Sequence, residues 1–144
     1  MEKPGDSRVQ RDAEPAMVEW LSKELNLELS PKRFVLGGGA RVEVDAATTD
    51  GSVLCEAWAH QGVPKSAQKF KIMNDAMKLL TVRNFLGDDA QMILLFADEA
   101  AASQFSSGTW RSEALQAFDF KIVVAKLDEQ MRQDIRNSQV KQYR

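Results

Sequence analysis

The sequence has very few of the residues that build disulfides, zinc sites and histidine-based active sites. Among its 144 residues there is one cysteine, Cys55, and one histidine, His60. A single cysteine cannot form an intrachain disulfide, which favours a reducing, intracellular setting, and we expect the cytoplasm. One cysteine and one histidine form no Cys/His ligand set with metal-site spacing. Their scarcity also argues against Ser-His-Asp and Cys-His catalysis.

Long apolar runs and a strong net charge are also missing. No stretch approaches the roughly 20 apolar residues that cross a bilayer, so we expect no membrane partner. The opening residues MEKPGDSRVQRDAEP lack the apolar segment of a signal peptide. We predict a polar, flexible leader over 1–14 and a single domain over 15–144.

The net charge of the chain is −2, which does not by itself indicate a nucleic-acid binder. It does not exclude one either, because binding depends on local clusters of charge more than on the net charge.

Periodicity predicts an α/β fold with a mixed sheet. Apolar residues three and four apart predict a first helix over about 15–27, with Pro15 near its start. Alternation of period two then predicts strands. The further predicted elements are strands at about 33–36, 41–47 and 52–59, a helix at 64–86, a strand at 90–97, short helices at 98–106 and 110–117, a strand at 119–127 and a C-terminal helix. A strand, a long helix and a strand in succession predict a crossover between parallel strands, after an antiparallel meander.

The dipeptide Asp50-Gly51 predicts a tight hairpin turn between the second and third strands. Asp45 and Glu56 are each the fifth residue out from that turn, so they lie directly opposite each other. Period two places both acids on one face, beside Glu43 and Trp58. The opposite face is predicted to carry Val42, Val44, Val53, Cys55 and Ala57.

Two opposed carboxylates repel each other, and partial burial makes the repulsion worse. The chain can relieve it with a shared proton, a nearby lysine or arginine, or a divalent cation, which prefers oxygen ligands. Without a metal, we expect either Asp45 or Glu56 to titrate above its usual pKa. The alternative is an exposed face of the sheet, where both acids point into water.

The predicted helix over 64–86 brings positive charge next to these acids. It has five lysines and arginines against one acid, and Phe70, Met73, Met77 and Leu80 form its predicted core stripe. Lys69 and Gln68 lie near its start, on a stripe expected to reach back toward the carboxylates. Lys71 and Lys78 lie on another stripe, which we interpret as solvated.

These residues resemble the restriction-endonuclease-like superfamily, which is named for its PD-(D/E)XK motif. That family has an αβββαβ core, whose order residues 15–97 reproduce, with further β and α elements added here at the C-terminus. The family's metal-binding Asp matches Asp45 in RVEVDAAT, and its second acid matches Glu56 in LCEAWA. A glutamine found early in the following helix matches Gln68. An acid that sometimes joins from the first helix would be Glu19 or Glu24.

Two positions depart from the family pattern. Trp58 stands where the motif has its lysine, and Val44 replaces the residue before the first acid. Some members carry this lysine on the next helix, and Lys69, or failing it Lys65, would then be the migrated residue. The other interpretation is a site that has lost catalysis.

The resemblance implies an Mg²⁺- or Mn²⁺-dependent endonuclease or exonuclease that hydrolyses phosphodiester bonds in DNA. Asp45 and Glu56 would hold the ion, with Glu19 beside them. Lys69 would orient the attacking water and Gln68 would fix a water or a phosphate oxygen. The nucleic-acid backbone would contact Lys65, Lys69 and Lys71. The alternative is a catalytically inactive module of the same fold that binds nucleic acid or a protein partner, and a homodimer stays open.

Overall fold

A computed structural model describes the backbone of residues 8–142 and the side chains of residues 13–137. The elements of this part are α1 (Arg8–Leu25), β1 (Ser30–Val35), β2 (Arg41–Ala47), β3 (Val53–Trp58), α2 (Ser66–Phe85), β4 (Gln91–Phe96), α3 (Glu99–Ser106), α4 (Trp110–Ala117), β5 (Phe120–Val124) and α5 (Glu129–Gln142). None of the described helices is both long enough and apolar enough to cross a bilayer.

The five strands form one mixed sheet in the order β1-β2-β3-β4-β5. The first three are antiparallel neighbours, whereas β3, β4 and β5 are parallel. Parallel neighbours need a crossover connection, which α2 supplies for β3 and β4 and the α3–α4 pair supplies for β4 and β5. The mixed sheet predicted from the sequence is therefore confirmed, and so is the order of helices and strands.

Helices cover both faces of the sheet and enclose two cores. One core lies between the sheet and α2, α3 and α4, and it includes Leu54, Leu79 and Phe96. The other lies between the sheet and α1 and α5, and it includes Met17 and Cys55. Strand β4 contributes to both cores, which explains why its sequence is apolar without alternation.

Helix α1 begins at Arg8, so the predicted helix start at 15 is wrong, and residues 8–14 of the predicted leader are helical. Residues 1–7 lie outside the described part. Proline favours the first turn of a helix, and Pro15 was therefore a misleading start signal. The helix tolerates this proline because Ala13 and Met17 are fully buried in the core on the α1–α5 side.

Helix α2 is turned by about one residue step, roughly 100°, from the predicted orientation. Its buried residues are Ile72, Ala76, Leu79 and Val82. Two members of the predicted core stripe, Phe70 and Met77, are 65% and 61% exposed. Because both stripes are apolar, periodicity alone could not distinguish them. The rotation decides which lysines of α2 face the sheet.

Candidate functional site

The site begins at the hairpin between β2 and β3, whose register is the one predicted from Asp50-Gly51. The ladder pairs Ala46 with Cys55 and Ala47 with Leu54. The loop is longer than a two-residue turn, because the N–H of Thr48 donates to the carbonyl of Val53 at 3.1 Å. This closing pair keeps the same register, and it carries Asp45 and Glu56 to facing positions.

The regular ladder stops at these two acids, and their side chains take over its hydrogen bonds. The backbone N–H of Asp45 donates to Glu56 Oε2 at 3.0 Å. In return, the backbone N–H of Ala57 donates to Asp45 Oδ2 at 2.9 Å. Each carboxylate thus accepts a backbone proton from the opposite strand, and buried N–H groups need such acceptors. This exchange explains why an acid occupies the middle of a buried strand.

The predicted assignment of faces is wrong for part of β2. Val44 packs with Leu54 in the core on the α2 side, whereas Ala46 packs with Cys55 on the α1–α5 side. The alternation of period two is therefore broken between Val44 and Ala46, where the ladder ends. Glu43, expected beside the two acids, is exposed and forms an ion pair with Arg33 at 2.9 Å.

The lysine that meets the acids is Lys78. Its Nζ forms an ion pair with Oε1 of Glu56, whose side chain is 3% exposed. Lys69 forms no side-chain hydrogen bond or ion pair within the described residues, so it does not reach the carboxylates as predicted. Gln68 caps the start of α2, where its Oε1 accepts the N–H of Lys65 at 2.8 Å. Sequence reasoning missed Lys78 because the predicted stripe of α2 placed it in solvent.

Two further acids approach from the neighbouring helices. Glu14 of α1 is half-buried and, with Asp45, lines an open groove of about 830 Å³. Asp75 of α2 is half-buried and, with Glu56, lines a small internal cavity of about 10 Å³. Glu14 was missed because it fell inside the predicted leader. Glu14 lies four residues before Val18, which belongs to the apolar stripe of the first helix. This helical spacing was the available signal that Glu14 is part of the same helix.

The acids predicted on the first helix lie elsewhere. Glu19 also borders the groove, but it is exposed and pairs with Lys23 on its own helix at 3.3 Å. Glu24 is exposed. Neither is buried against Asp45, so Glu14 is the acid of α1 that approaches the pair.

Burial and mutual repulsion raise the pKa values in this cluster. Burial, followed by the neighbouring carboxylate of Asp45, raises the pKa of Glu56 to about 8, although Lys78 opposes the change. Burial, with Asp45 and Asp75, raises the pKa of Glu14 to about 7. Burial also raises the pKa of Asp75 above its usual value.

The pKa of Lys78 is also raised, which for a lysine favours the charged form. Burial alone would lower the pKa of Lys78, but the combined attraction of Glu56, Asp75 and Asp45 raises it. Lys78 therefore stays charged and pairs with the ionised form of Glu56, whereas burial and the neighbouring acids favour the protonated forms of Glu14 and Glu56. Such protons can be exchanged for a cation, as expected for two acids that face each other.

Trp58, at the position of the family's lysine, is covered by two other side chains. Lys71 Nζ lies 5.6 Å from the centroid of the Trp58 ring, and the His60 ring stacks on Trp58 with centroids 4.5 Å apart. Burial, followed by Lys71, lowers the pKa of His60 to about 4, so this imidazole is neutral. Lys71 also acts electrostatically on Glu14 and Asp75, which places it at the edge of the cluster.

Within the described residues, no group of three or more acidic, histidine or cysteine side chains is arranged to hold a metal ion. Two carboxylates are nevertheless a common protein contribution to an Mg²⁺ site, since waters and phosphates complete the shell. Searches against protein-family models, curated proteins and solved structures found no match to this chain. The resemblance to the PD-(D/E)XK superfamily therefore rests on the residues described above.

Proposed function

We propose that the chain is a metal-dependent phosphodiesterase that acts on nucleic acid, with DNA as its substrate. The observation that carries the proposal is the arrangement of Asp45, Glu56 and Lys78. The buried Glu56 accepts the backbone N–H of Asp45, and the half-buried Asp45 accepts that of Ala57. An ammonium group from the next helix meets Glu56. This arrangement combines a cation-binding pair with a positive charge, the two components that phosphodiester hydrolysis requires.

The residues fit a divalent cation such as Mg²⁺ or Mn²⁺. Asp45 and Glu56 would hold it, and Glu14 and Asp75 are placed to orient its bound waters. The raised pKa of Glu56 supports this assignment, because it reflects burial and the neighbouring carboxylate of Asp45, which together outweigh the effect of Lys78. When bound, the ion neutralises charge on the phosphate and lowers the pKa of a bound water.

Lys78 takes the role that the resemblance would give to the motif's lysine. Its ammonium is paired with Glu56 in the structure. When the carboxylate of Glu56 binds a cation instead, this ammonium becomes available to hydrogen-bond a water or a phosphate oxygen. The groove beside Glu14 and Asp45 gives solvent and substrate a route to the acids.

The alternative function is a catalytically inactive module that binds nucleic acid or a protein partner. The observation that favours it is Trp58, since the position of the motif's lysine holds a buried aromatic ring. In that case the Glu56–Lys78 pair would be a structural element, and no cation would be needed.

A cleavage assay separates these functions. The purified chain would be incubated with single- and double-stranded DNA and RNA, in Mg²⁺, Mn²⁺ or EDTA. We expect metal-dependent cleavage of DNA. Asp45→Asn and Lys78→Ala should each reduce the rate by at least about 100-fold, since each removes a charge that acts in the transition state. Lys69→Ala is the matched control on the same helix, and it should stay within a few-fold of the parent chain.

The outcomes are distinct. Equal cleavage by the parent chain and Asp45→Asn would reveal a contaminating nuclease. A large loss in Lys69→Ala with none in Lys78→Ala would return the catalytic role to Lys69. Absence of cleavage, together with no gain in thermal stability from Mg²⁺ or Mn²⁺, would support the inactive module. Cleavage of RNA alone would correct the choice of substrate.

A further inference from the structure

Two exposed aromatic rings flank an arginine at the starts of α2 and α4. Phe70 is 65% exposed and Trp110 is 63% exposed. The guanidinium carbon of Arg111 lies 5.8 Å from the centroid of the Phe70 ring and 4.9 Å from that of the Trp110 ring. We refer to Phe70, Trp110 and Arg111 as the aromatic–arginine platform. This platform was not predicted from the sequence, because Phe70 was assigned to the core stripe of its helix.

The charge of Arg111 has no anionic partner in the described part of the chain. Its Nε is buried and forms no hydrogen bond with the described residues. Arg33 and Arg136, by contrast, pair with Glu43 and Glu129. A half-buried cation that is held between rings and left without a carboxylate can still bind an anion.

We infer that the aromatic–arginine platform binds single-stranded nucleic acid. The outer faces of Phe70 and Trp110 stack with bases, and Arg111 binds a phosphate between them. Aromatic rings next to positive charge are the usual means of holding a single strand. A duplex keeps its bases stacked on one another, so the platform favours an unpaired strand.

Lys71 links the platform to the acid cluster along α2. Lys71 follows Phe70 on α2, lies over Trp58 and acts electrostatically on Glu14 and Asp75. A strand held on the platform and extended past Lys71 would be directed toward Asp45 and Glu56. The inference rests on the proposed function for its choice of ligand, and it adds a preference for unpaired substrate.

The test measures binding without cleavage. Asp45→Asn chain in EDTA would be titrated against a fluorescein-labelled single-stranded DNA 12-mer and a matching duplex, with anisotropy as the readout. We expect tighter binding of the single strand. Adding Phe70→Ala or Trp110→Ala should weaken that binding by roughly tenfold each, as expected for the loss of one stacked base. Arg111→Gln should reduce the dependence of affinity on salt by about one phosphate contact.

Phe118→Ala is the matched control, since it removes a phenylalanine that is 52% exposed and lies outside the platform. It should change affinity by less than twofold, and thermal unfolding should show that all variants are folded. Equal affinity of the platform variants and Phe118→Ala would overturn the inference, even if the parent chain cleaves DNA. No binding of any oligonucleotide at low salt would also overturn it and would favour a protein partner for this surface. Loss of single-strand binding in the platform variants, with no cleavage by the parent chain, would keep the inference and remove the nuclease proposal.

Discussion

The two ends of the β2–β3 hairpin each contain a carboxylate that accepts a backbone N–H, yet their pKa values move in opposite directions. At the turn, Asp50 Oδ1 accepts the N–H of Ser52 at 3.0 Å and the hydroxyl of Thr48 at 2.8 Å. Hydrogen bonds from Ser52, then from Thr48, lower the pKa of Asp50 to about 2. At the other end, Glu56 accepts the N–H of Asp45, and its pKa rises to about 8.

Solvation accounts for the difference. Asp50 is exposed, so its hydrogen bonds stabilise a charge that water also stabilises. Glu56 is almost fully buried next to a second carboxylate, and there the cost of removing the charge from water exceeds the benefit of its hydrogen bonds. The acid at the turn thus defines the path of the chain, whereas the acid at the far end has a charge that its surroundings disfavour even with Lys78 beside it.

The largest effect on stability is expected from an apolar residue of the ladder. Leu54→Ala removes a fully buried side chain two residues before Glu56 and should lower the free energy of unfolding by about 3–5 kcal/mol. Because no titrating group is lost, the decrease should be the same at pH 5 and pH 9 in urea titrations. Val35→Ala, at a position 57% exposed, is the control and should stay within about 0.5 kcal/mol. A loss that varies with pH would show that Leu54 is coupled to the acids.

The next largest effect is on the pH dependence of stability, and it comes from the charge of Glu56. The folded state keeps the proton of Glu56 up to about pH 8, whereas the unfolded chain releases it near 4.5. The parent chain therefore loses stability as the pH rises from 4.5 to 8, and Glu56→Gln does not suffer this loss. Between pH 5 and pH 9 the variant should gain roughly 2–4 kcal/mol relative to the parent chain.

This measurement uses unfolding curves at several pH values in EDTA. Glu14→Gln is a companion variant, and its pH-dependent gain should occur between 4.5 and 7, in line with the pKa of Glu14. If the parent chain and Glu56→Gln have parallel pH profiles, the carboxylate is ionised throughout and the comparison of the two ends fails.

A smaller effect is expected from the lysine. Lys78→Met removes the positive charge beside Glu56, so the pKa of Glu56 should rise above about 8 and stability at pH 9 should fall by about 1–3 kcal/mol. Combining it with Glu56→Gln should remove most of this cost, as a double-mutant cycle would measure. Lys69→Met serves as the control, and an equal loss there would mean that Lys78 acts through general charge alone.

The smallest effect is expected at the turn. Asp50→Asn keeps an oxygen acceptor for Ser52 and removes an exposed charge. Because the pKa of Asp50 is lowered, its carboxylate contributes to folding stability above the usual pKa near 3.8. That contribution is lost as the pH falls through about 2. Carboxyl NMR titration should find Asp50 among the most acidic groups of the chain. A midpoint near 4 would contradict the hydrogen bonds of the turn.

The features that depend on local chemistry were predictable from the sequence. The turn at Asp50-Gly51 gave the register that brings Asp45 opposite Glu56, because turn residues and strand period act over a few positions. The alternation of helices and strands gave the mixed sheet in the same way. Crossover helices follow directly from parallel neighbours, so the overall order of elements needed no knowledge of packing.

The features that depend on packing between elements were not predictable. Helix α2 has two apolar stripes, and only contact with the sheet buries Ile72 and Leu79 and leaves Phe70 exposed. That contact also decides that Lys78 meets Glu56. Similarly, Glu14 was missed because the sequence predicts a helix start at Pro15, whereas α1 begins earlier and packs through the buried Ala13. In both cases a tertiary contact overrode a local signal.

The only thiol of the chain has a practical consequence. Cys55 is fully buried in the core beneath α1 and α5, and burial raises its pKa well above the usual value. A thiol reagent can reach it only when those helices move away, so the labelling rate measures how often that layer opens. With no competing cysteine in the sequence, one mass shift would report this motion without any assay of activity.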